Sequence, residues 1–380
     1  MKMTDKLYYI DSHLREFRAT VTGCVNENGI FEVTLDRTAF FPEGGGQLGD
    51  SGYIGESRVV DTQERDGEII HYCEKELHVG DSVDCRLDWD IRFRRMQNHS
   101  GEHILSGIIH EIFGYDNVGF HMGEENITVD YDGYITPDML REIEQRANAV
   151  VFSNVEIKTE FPSDEELKNM HYRSKLELTE NVRIVTVEGV DICACCAPHV
   201  KRTGEIGVIK LLDSIHYKGG VRIHLLCGYD ALEDYHERYE STKKIAAELS
   251  VKQKEVAEAT LRKLCEFAEY REKHAELRRE LTEMKINAIK PSDGNIVIFD
   301  DGADPDTARR IANAGADLCS GICAVFSNGN YCMVSRHADL RAKAREINAA
   351  ICGRGGGSSE MIRGVAAASR AEIEKYFGEK

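Results

Sequence analysis

Two short motifs constrain this chain more than any other feature, because together they supply the ligands of one metal ion. The first places His99 and His103 four residues apart, and the second places Cys195 and His199 at the same offset. Zn²⁺ accepts imidazole and thiolate in tetrahedral geometry, and pairs of ligands from separate parts of a chain form such sites. The four residues therefore predict one Zn²⁺ per chain.

The first histidine pair lies on a predicted helix, because apolar residues follow it at helical spacing. Both imidazoles are then expected on the face opposite a buried stripe. The alternative is that the two histidines are ordinary, partly buried residues of an amphipathic helix. The second pair weakens that alternative. The stripe consists of Leu105, Ile108, Ile109 and Ile112.

The segments around these motifs resemble the editing domain of alanyl-tRNA synthetases. Residues 38–50 read TAFFPEGGGQLGD and resemble the glycine-rich signature that opens that domain. Residues 92–103 resemble its arginine-rich approach to a His-x-x-x-His helix, and residues 195–207 resemble its Cys-x-x-x-His stretch with the following Thr-Gly-Glu-Ile-Gly. Nothing resembles the aminoacylation half. The resemblance is therefore to the free-standing AlaX family, which deacylates mischarged alanine tRNA in trans.

This resemblance implies hydrolysis of the ester in mischarged tRNA(Ala), carrying serine or glycine. A pocket made for alanine cannot strongly reject the added hydroxyl of serine, so a second, hydrolytic selection is needed. Gln47 matches the family's active-site glutamine, which donates a hydrogen bond or orients water. Thr38 matches the threonine associated with recognising the serine hydroxyl, although an isolated threonine is more often a strand surface residue. Gly45 and Gly46 are expected to contact the substrate.

The resemblance also implies that His99, His103, Cys195 and His199 are the zinc ligands. The sequence leaves open whether serine or glycine is preferred, and whether the metal activates water or only positions the substrate.

The formal net charge of -18 argues against a general nucleic-acid binder, because binding a polyanion relies on Lys and Arg. A specific RNA surface needs only local positive charge. Arg92 and Arg95 before the histidine helix, and Lys218 and Arg222 in a later stretch, are the candidates. The alternative is that these are solvated faces paired with the abundant acids.

The predicted fold class is α+β, in four parts. Residues 1–90 alternate short β-like runs with turns, which predicts a small β-barrel carrying the glycine-rich motif. Residues 91–229 mix helices and strands, which predicts an α+β domain that carries the zinc site, and the resemblance implies that this is the editing domain. Residues 230–290 are dominated by Glu, Lys, Ala and Leu, and a break near residues 249–253 predicts a helical hairpin linker. Residues 291–380 form a C-terminal α/β domain.

The C-terminal domain contains the stretch CGRGGGSS at residues 352–359, which resembles the glycine-rich loop of alanyl-tRNA synthetases and DHH-family phosphoesterases. The resemblance implies that Arg354, Gly355 and Gly356 contact RNA or phosphate, with Ser358 or Ser359 capping a following helix. The alternative is a flexible turn. This domain is also expected to bind tRNA or to form a homodimer.

No apolar run approaches membrane-spanning length and no signal-peptide pattern is present, so a cytoplasmic protein without membrane partners is expected. The 12 cysteines are scattered through the chain, which favours reduced thiols. Cys193 and Cys196 flank the ligand Cys195, where they either compete for metal, oxidise together or are simply buried. Two other functions stay open: a zinc-stabilised RNA-binding module without hydrolytic activity, and a zinc hydrolase of a small ester or amide.

Overall fold

The computed structural model describes residues 4–123, 127–174 and 182–378, which divide into two units between Lys244 and Ile245. Both units mix helices and sheets, so the predicted α+β class is confirmed. No helix in these residues is long and apolar enough to cross a membrane.

The first part of the N-terminal unit is built from short strands that alternate buried and exposed residues. Six of them close on each other in the order β2, β3, β7, β6, β5, β8. Two hairpins turn at Asn28-Gly29 and Asp66-Gly67, where all four residues have positive φ, as tight two-residue turns require. The strands are β1 (Asp5–Lys6), β2 (Glu16–Glu27), β3 (Ile30–Leu35), β4 (Arg37–Thr38), β5 (Gly52–Ile54), β6 (Ser57–Arg65), β7 (Glu68–Cys73) and β8 (Ser82–Leu87).

The remainder of this unit contains two antiparallel sheets and the predicted histidine helix. One sheet has the strand order β14, β15, β10, β9, and the other β11, β12, β13. The elements are α1 (Trp89–Phe113), β9 (Asn117–Met122), β10 (Ile127–Tyr131), α2 (Pro137–Ser153), β11 (Ile157–Glu160), α3 (Asp164–Asn169), β12 (Ile184–Val187), β13 (Asp191–Ala194), β14 (Ile209–Tyr217), β15 (Gly220–Cys227) and α4 (Gly228–Leu249).

Helix α1 ends at Gly114, whose φ of 70° is the left-handed conformation that glycine adopts without strain. The expectation that its histidines lie opposite a single buried stripe is wrong, because every residue from Met96 to Ile109 is buried. The helix packs against β13 and β15 as well as α2. Such enclosure requires that its polar side chains find partners inside the protein.

Helix α4 ends at Leu249, and Ser250 follows with a φ of 54°. Helix α5 (Val256–Asn287) then begins. The break predicted near residues 249–253 is therefore present, while the pairing of the two helices into a hairpin stays a prediction.

The C-terminal unit has a five-stranded sheet in the order β16, β17, β18, β20, β19. The predicted glycine-rich loop is a strand in the structure, and the element that follows Ser358 and Ser359 is strand β20 rather than the predicted helix. Instead, the Ser358 backbone N–H donates to Met361 O, which closes a turn between β19 and β20. The elements after α5 are β16 (Ile296–Phe299), α6 (Pro305–Ala316), β17 (Cys323–Ser327), β18 (Asn330–Val334), α7 (Leu340–Ala350), β19 (Gly353–Gly357), β20 (Met361–Ala366) and α8 (Arg370–Gly378).

Candidate metal centre and adjoining cavity

The structure brings the four predicted metal ligands together. His99 and His103 lie one turn apart on α1, and Cys195 and His199 lie in the segment after β13. Their ligand atoms all lie within 4.8 Å of one another. The Cys195 Sγ is 3.5 Å from His99 Nε2 and 3.4 Å from His199 Nε2. The spacing of two distant motifs thus produces one compact donor cluster.

Each imidazole is oriented by a hydrogen bond at its other nitrogen. Nδ1 of His99 lies 3.1 Å from Gln47 Oε1, and Nδ1 of His103 lies 3.0 Å from a carboxylate oxygen of Asp191. Nδ1 of His199 lies 3.0 Å from the Ser100 hydroxyl. The amide and carboxylate oxygens only accept, so they fix the proton of their histidine on Nδ1 and leave Nε2 as the donor toward a metal.

The charges in the cluster also suit a metal ion. Burial raises the pKa of the Cys195 thiol, but electrostatic interaction with the neighbouring histidines and hydrogen bonds from His103 and His199 outweigh it and hold that pKa well below its usual range. Burial lowers the pKa of His199 to about 3, which leaves its imidazole neutral. Burial opposes charge on His103 too, yet Cys193, Asp191 and Cys195 raise its pKa. A cation bound there displaces a proton from His103.

A cavity of about 510 Å³ adjoins this cluster. Gly45 and Gly46 form part of its wall, with φ values of 60° and 83° that favour glycine. A Cβ at Gly46 would lie 2.6 Å from Phe120 O, so the wall is closely packed there. The cavity is also lined by Arg183, by three aromatic residues and by three of the candidate ligands. The aromatic residues are Tyr9, Phe120 and Phe161, and the candidate ligands are His99, His103 and Cys195.

Thr38 does not line this cavity. It is fully buried, and its hydroxyl lies 2.9 Å from His71 Nε2 while accepting from the Phe40 backbone N–H at 3.1 Å. Nδ1 of His71 is 2.9 Å from Val33 O, a carbonyl that only accepts, so Nε2 accepts the Thr38 proton. Both functions of the hydroxyl are used inside the protein. The prediction that Thr38 recognises the serine hydroxyl is therefore wrong, because its hydroxyl is buried and already engaged.

Gln47 is also fully buried and lies behind His99 rather than in the cavity wall. Its oxygen accepts from His99, and its Nε2 has no hydrogen-bond partner among the described residues. The sequence predicted a group that acts on water or substrate. The structure places Gln47 where it orients the imidazole of His99, a candidate metal ligand.

Of the two arginines predicted to meet RNA before the histidines, Arg92 is buried and Arg95 is half-buried. Arg92 is 1% exposed and forms an ion pair with Asp50, and it also donates to Ala39 O at 2.6 Å. Arg95 donates to Gly49 O at 2.7 Å. Both guanidiniums hold the glycine-rich segment in place. The assignment of Arg92 to the RNA surface is wrong because Arg92 is buried and paired, while the half-buried Arg95 stays a predicted RNA contact.

The two later basic residues differ in whether an acid pairs with them. Arg222 forms a two-bond ion pair with Asp130 at 2.6 and 2.7 Å and stacks on Tyr217. The alternative of a cation paired with an acid is the one the structure favours at this position. Lys218 is exposed in the turn between β14 and β15. It stays a predicted RNA contact.

Arg354, Gly355 and Gly356 lie exposed on β19, the last strand of its sheet. A sheet edge presents unpaired backbone groups as well as side chains to a partner. Their contact with RNA or phosphate stays a prediction, now resting on an edge strand rather than a loop.

Several residues of the site were missed by sequence reasoning. Asp191 is 6% exposed and, besides holding His103, accepts two hydrogen bonds from Arg173 at 2.7 and 2.8 Å. Glu102 lies between the two helix histidines, and its carboxylate accepts from Ser106 at 2.5 Å. The one available signal was proximity, because Glu102 and Asp191 each lie within four residues of a predicted ligand.

The neighbouring cysteines have different positions. Cys193 is buried and forms a second group of nearby donor atoms with His103 and Asp191. Cys196 is exposed, so the alternative that it is simply a buried residue does not apply to it. Among the described residues, every cysteine is a free thiol.

Comparisons with known proteins give matches to the same class of proteins as the motifs. Residues 182–225 match the model of the "Threonyl and Alanyl tRNA synthetase second additional domain", and residues 9–91 match that of "tRNA synthetases class II (A)". The chain is 29% identical to an alanyl-tRNA editing protein, AlaX-L, of Pyrococcus horikoshii, over 98% of this chain and 96% of that protein.

Longer proteins match as well. An alanine–tRNA ligase of Methanopyrus kandleri is 30% identical over 95% of this chain, and one of Ignicoccus hospitalis is 27% identical over 98%. The chain spans 42% of the length of each ligase. The resemblance predicted from the motifs, to a free-standing editing protein and to part of the synthetase, is confirmed.

Proposed function

We propose that this chain is a trans-editing hydrolase that deacylates mischarged tRNA(Ala). The observation that carries the proposal is the convergence of three oriented imidazoles on the Cys195 thiol at the wall of a cavity of about 510 Å³. Ester hydrolysis needs an oriented water molecule and stabilisation of the negative charge that develops on the carbonyl oxygen. A metal centre beside an open cavity suits that chemistry, and the similarity to the editing protein supports the substrate class.

We further propose that His99, His103, Cys195 and His199 hold one Zn²⁺. The donor set fits, since it combines one thiolate with three imidazoles whose Nδ1 atoms are already engaged. When bound, the ion would supply Lewis-acid stabilisation of negative charge. The chain's own contribution is to fix the direction of each donor through Gln47, Asp191 and Ser100, the residues at the three Nδ1 atoms.

The shape of the cavity wall suits an aminoacyl group with a small side chain. Gly45 and Gly46 bring the backbone directly against His99 and Phe120, since a Cβ at Gly45 would lie 3.9 Å from the His99 ring. Because these two residues have no side chains, space remains beside the candidate ligands. The packed wall limits the size of that space. Serine and glycine, the errors that an alanine site admits, are the substrates we propose.

We assign the C-terminal unit a role in tRNA affinity. Every candidate reactive group lies in the N-terminal unit, while Arg354 and its neighbouring glycines are exposed on the edge strand of the other. Arg354→Ala should weaken tRNA binding and flatten its salt dependence, with saturated turnover nearly intact. If affinity is unchanged, formation of a homodimer becomes the better assignment, and sedimentation of the protein tests it.

The deciding experiment is hydrolysis of seryl-, glycyl- and alanyl-tRNA(Ala) by the purified protein, with elemental analysis of the same sample. Faster release of serine or glycine than of alanine is expected, together with one zinc per chain. Replacing both Cys195 and His103 with alanine should remove metal and activity together. Zinc without hydrolysis of any of the three substrates would instead favour the RNA-binding module. Hydrolysis of simple esters independent of tRNA would favour the small-ester hydrolase.

A further inference from the structure

Arg183 is a buried cation in the cavity wall. It is 5% exposed, and its Nη1 donates to Cys195 O at 2.9 Å and to Ala197 O at 2.8 Å. Within residues 4–123, 127–174 and 182–378, no carboxylate pairs with it and Nε has no hydrogen-bond partner. A guanidinium has five N–H donors, so two carbonyl contacts leave most of its donor capacity unused.

An unpaired charge in this position needs an explanation, because buried guanidiniums are normally matched by an anion. Arg92 and Arg173 in the same unit illustrate the rule, since each is paired with an aspartate. With the proposed Zn²⁺ bound, the Cys195 thiolate would not balance Arg183, because the charge of a divalent ion would exceed that of the single thiolate. Among residues 4–123, 127–174 and 182–378, no anion therefore lies on the Arg183 side of the cavity.

Aromatic rings lie next to this cation. The Arg183 guanidinium carbon is 5.2 Å from the centre of the Tyr9 ring, and the Phe161 ring is 5.3 Å from Tyr9 at an interplanar angle of 72°. Both rings line the cavity, and Phe161 is 51% exposed. Tyr9 is half-buried, so Phe161 presents the exposed ring. An exposed aromatic ring beside an arginine is what an unpaired nucleobase uses for stacking next to its phosphate.

We propose that Arg183, Tyr9 and Phe161 form the subsite for the terminal nucleotide of the tRNA. Arg183 binds the phosphate on the 5′ side of the terminal adenosine, and the adenine stacks on the Tyr9 and Phe161 rim. The proposal rests on the proposed function, because a tRNA 3′ end carries the ester, the base and that phosphate on one nucleotide. The metal side of the cavity then holds the aminoacyl group.

The test is binding of adenosine 5′-monophosphate, adenosine and free serine to the full-length, zinc-containing protein, measured by calorimetry. The nucleotide should bind at least about tenfold more tightly than adenosine, with an advantage that shrinks as salt is added. Equal affinity of the wild-type protein for the two compounds overturns the proposal. Loss of serine binding in place of nucleotide binding, when Arg183 is replaced, also overturns it, because the anion is then the carboxylate of the product.

Variants assign the effect to the residues. Arg183→Met should abolish the preference for the nucleotide, and Lys158→Met, which removes an exposed charge from β11, should retain it. Phe161→Leu should weaken adenosine and nucleotide binding alike. Because Arg183 also holds the Cys195 segment, zinc content is measured for each variant, and Arg183→Lys, which keeps the charge, should restore part of the preference. A preference retained in zinc-loaded Arg183→Met contradicts the assignment.

The two proposals fail separately. Nucleotide preference without deacylation would reject the reaction and keep the anion subsite. Deacylation without nucleotide preference would keep the reaction and reject the subsite.

Discussion

Replacing Asp191 with asparagine tests whether the groups behind the histidines determine metal affinity. The carboxylate accepts from His103 Nδ1 at 3.0 Å and from Arg173 at 2.7 and 2.8 Å. Burial opposes its ionisation, but the hydrogen bonds from His103 and Arg173 prevail and lower the pKa of Asp191. The group is therefore a full negative charge at neutral pH, and asparagine removes that charge at nearly constant size.

Loss of such a partner reduces metal affinity by about 10- to 100-fold. That factor corresponds to about 1.4–2.8 kcal/mol of binding free energy. The free energy of unfolding should fall as well, because breaking a buried ion pair by removing one partner costs about 3–5 kcal/mol. The side chain of Arg173 keeps 16% of its surface exposed, so we expect the lower end of that range.

The assay is competition for zinc with a chelator of known affinity, followed by urea unfolding of each variant. Asp116→Asn is a matched control, because Asp116 also pairs with a histidine, His110, at 3.1 Å, but both side chains are about half exposed or more, at 65% and 47%. An exposed pair contributes about 0–1 kcal/mol, so this control should bind zinc like the wild-type protein. Equal zinc affinities for the two variants would refute the reasoning.

Three further predictions concern the glycine-rich segment and the barrel interior. Gly46→Ala should lower the free energy of unfolding by about 1–3 kcal/mol more than Gly29→Ala in urea titrations, because its new Cβ meets Phe120 O whereas Gly29, also at positive φ, meets nothing within 4 Å. Thr38→Val should lower the free energy of unfolding by about 1–3 kcal/mol, because it leaves His71 Nε2 without its hydrogen-bond partner. The ratio of seryl- to glycyl-tRNA hydrolysis should not change, and a loss specific to seryl-tRNA would show that Thr38 does recognise the substrate. Burial lowers the pKa of His71 from 6.5 to about 4, so the folded protein keeps it neutral. The contribution of His71 to the free energy of unfolding is complete above pH 6.5 and falls as the pH decreases toward 4, by at most about 1.4 kcal/mol per pH unit. Between pH 6.5 and 4, the free energy of unfolding of His71→Gln should therefore change less with pH than that of the wild-type protein.

The chemistry of the metal centre could be predicted from the sequence because it depends on local spacing. Two histidines four residues apart on a helix must lie on one face, whatever the helix packs against. The start of α2 at Pro137 was predictable for a similar reason, since Thr136 caps the helix and proline begins it. Such features depend on residues within one element.

Whether a charged residue is paired with an acid of the same chain could not be predicted in this way. Arg92 is neutralised by Asp50, 42 positions away, and Arg222 by Asp130, 92 positions away. Nothing in the sequence near either arginine distinguishes a cation held inside from one that meets RNA. Only the folded chain brings the acid to it, and an arginine that finds its anion internally is lost to an external ligand.

The sequence alone therefore determined the donor set, the helix that presents half of it and the α+β class, because these follow from residue type and periodicity. Only the tertiary structure decided which groups orient the histidines, that the Thr38 hydroxyl is used by His71, and that residues 353–357 form an edge strand. It also decided that Arg183 is buried beside the metal centre without an acid among the described residues. Hydrogen bonds and charge pairing depend on distances between atoms, and those distances between remote residues exist only after the chain has folded.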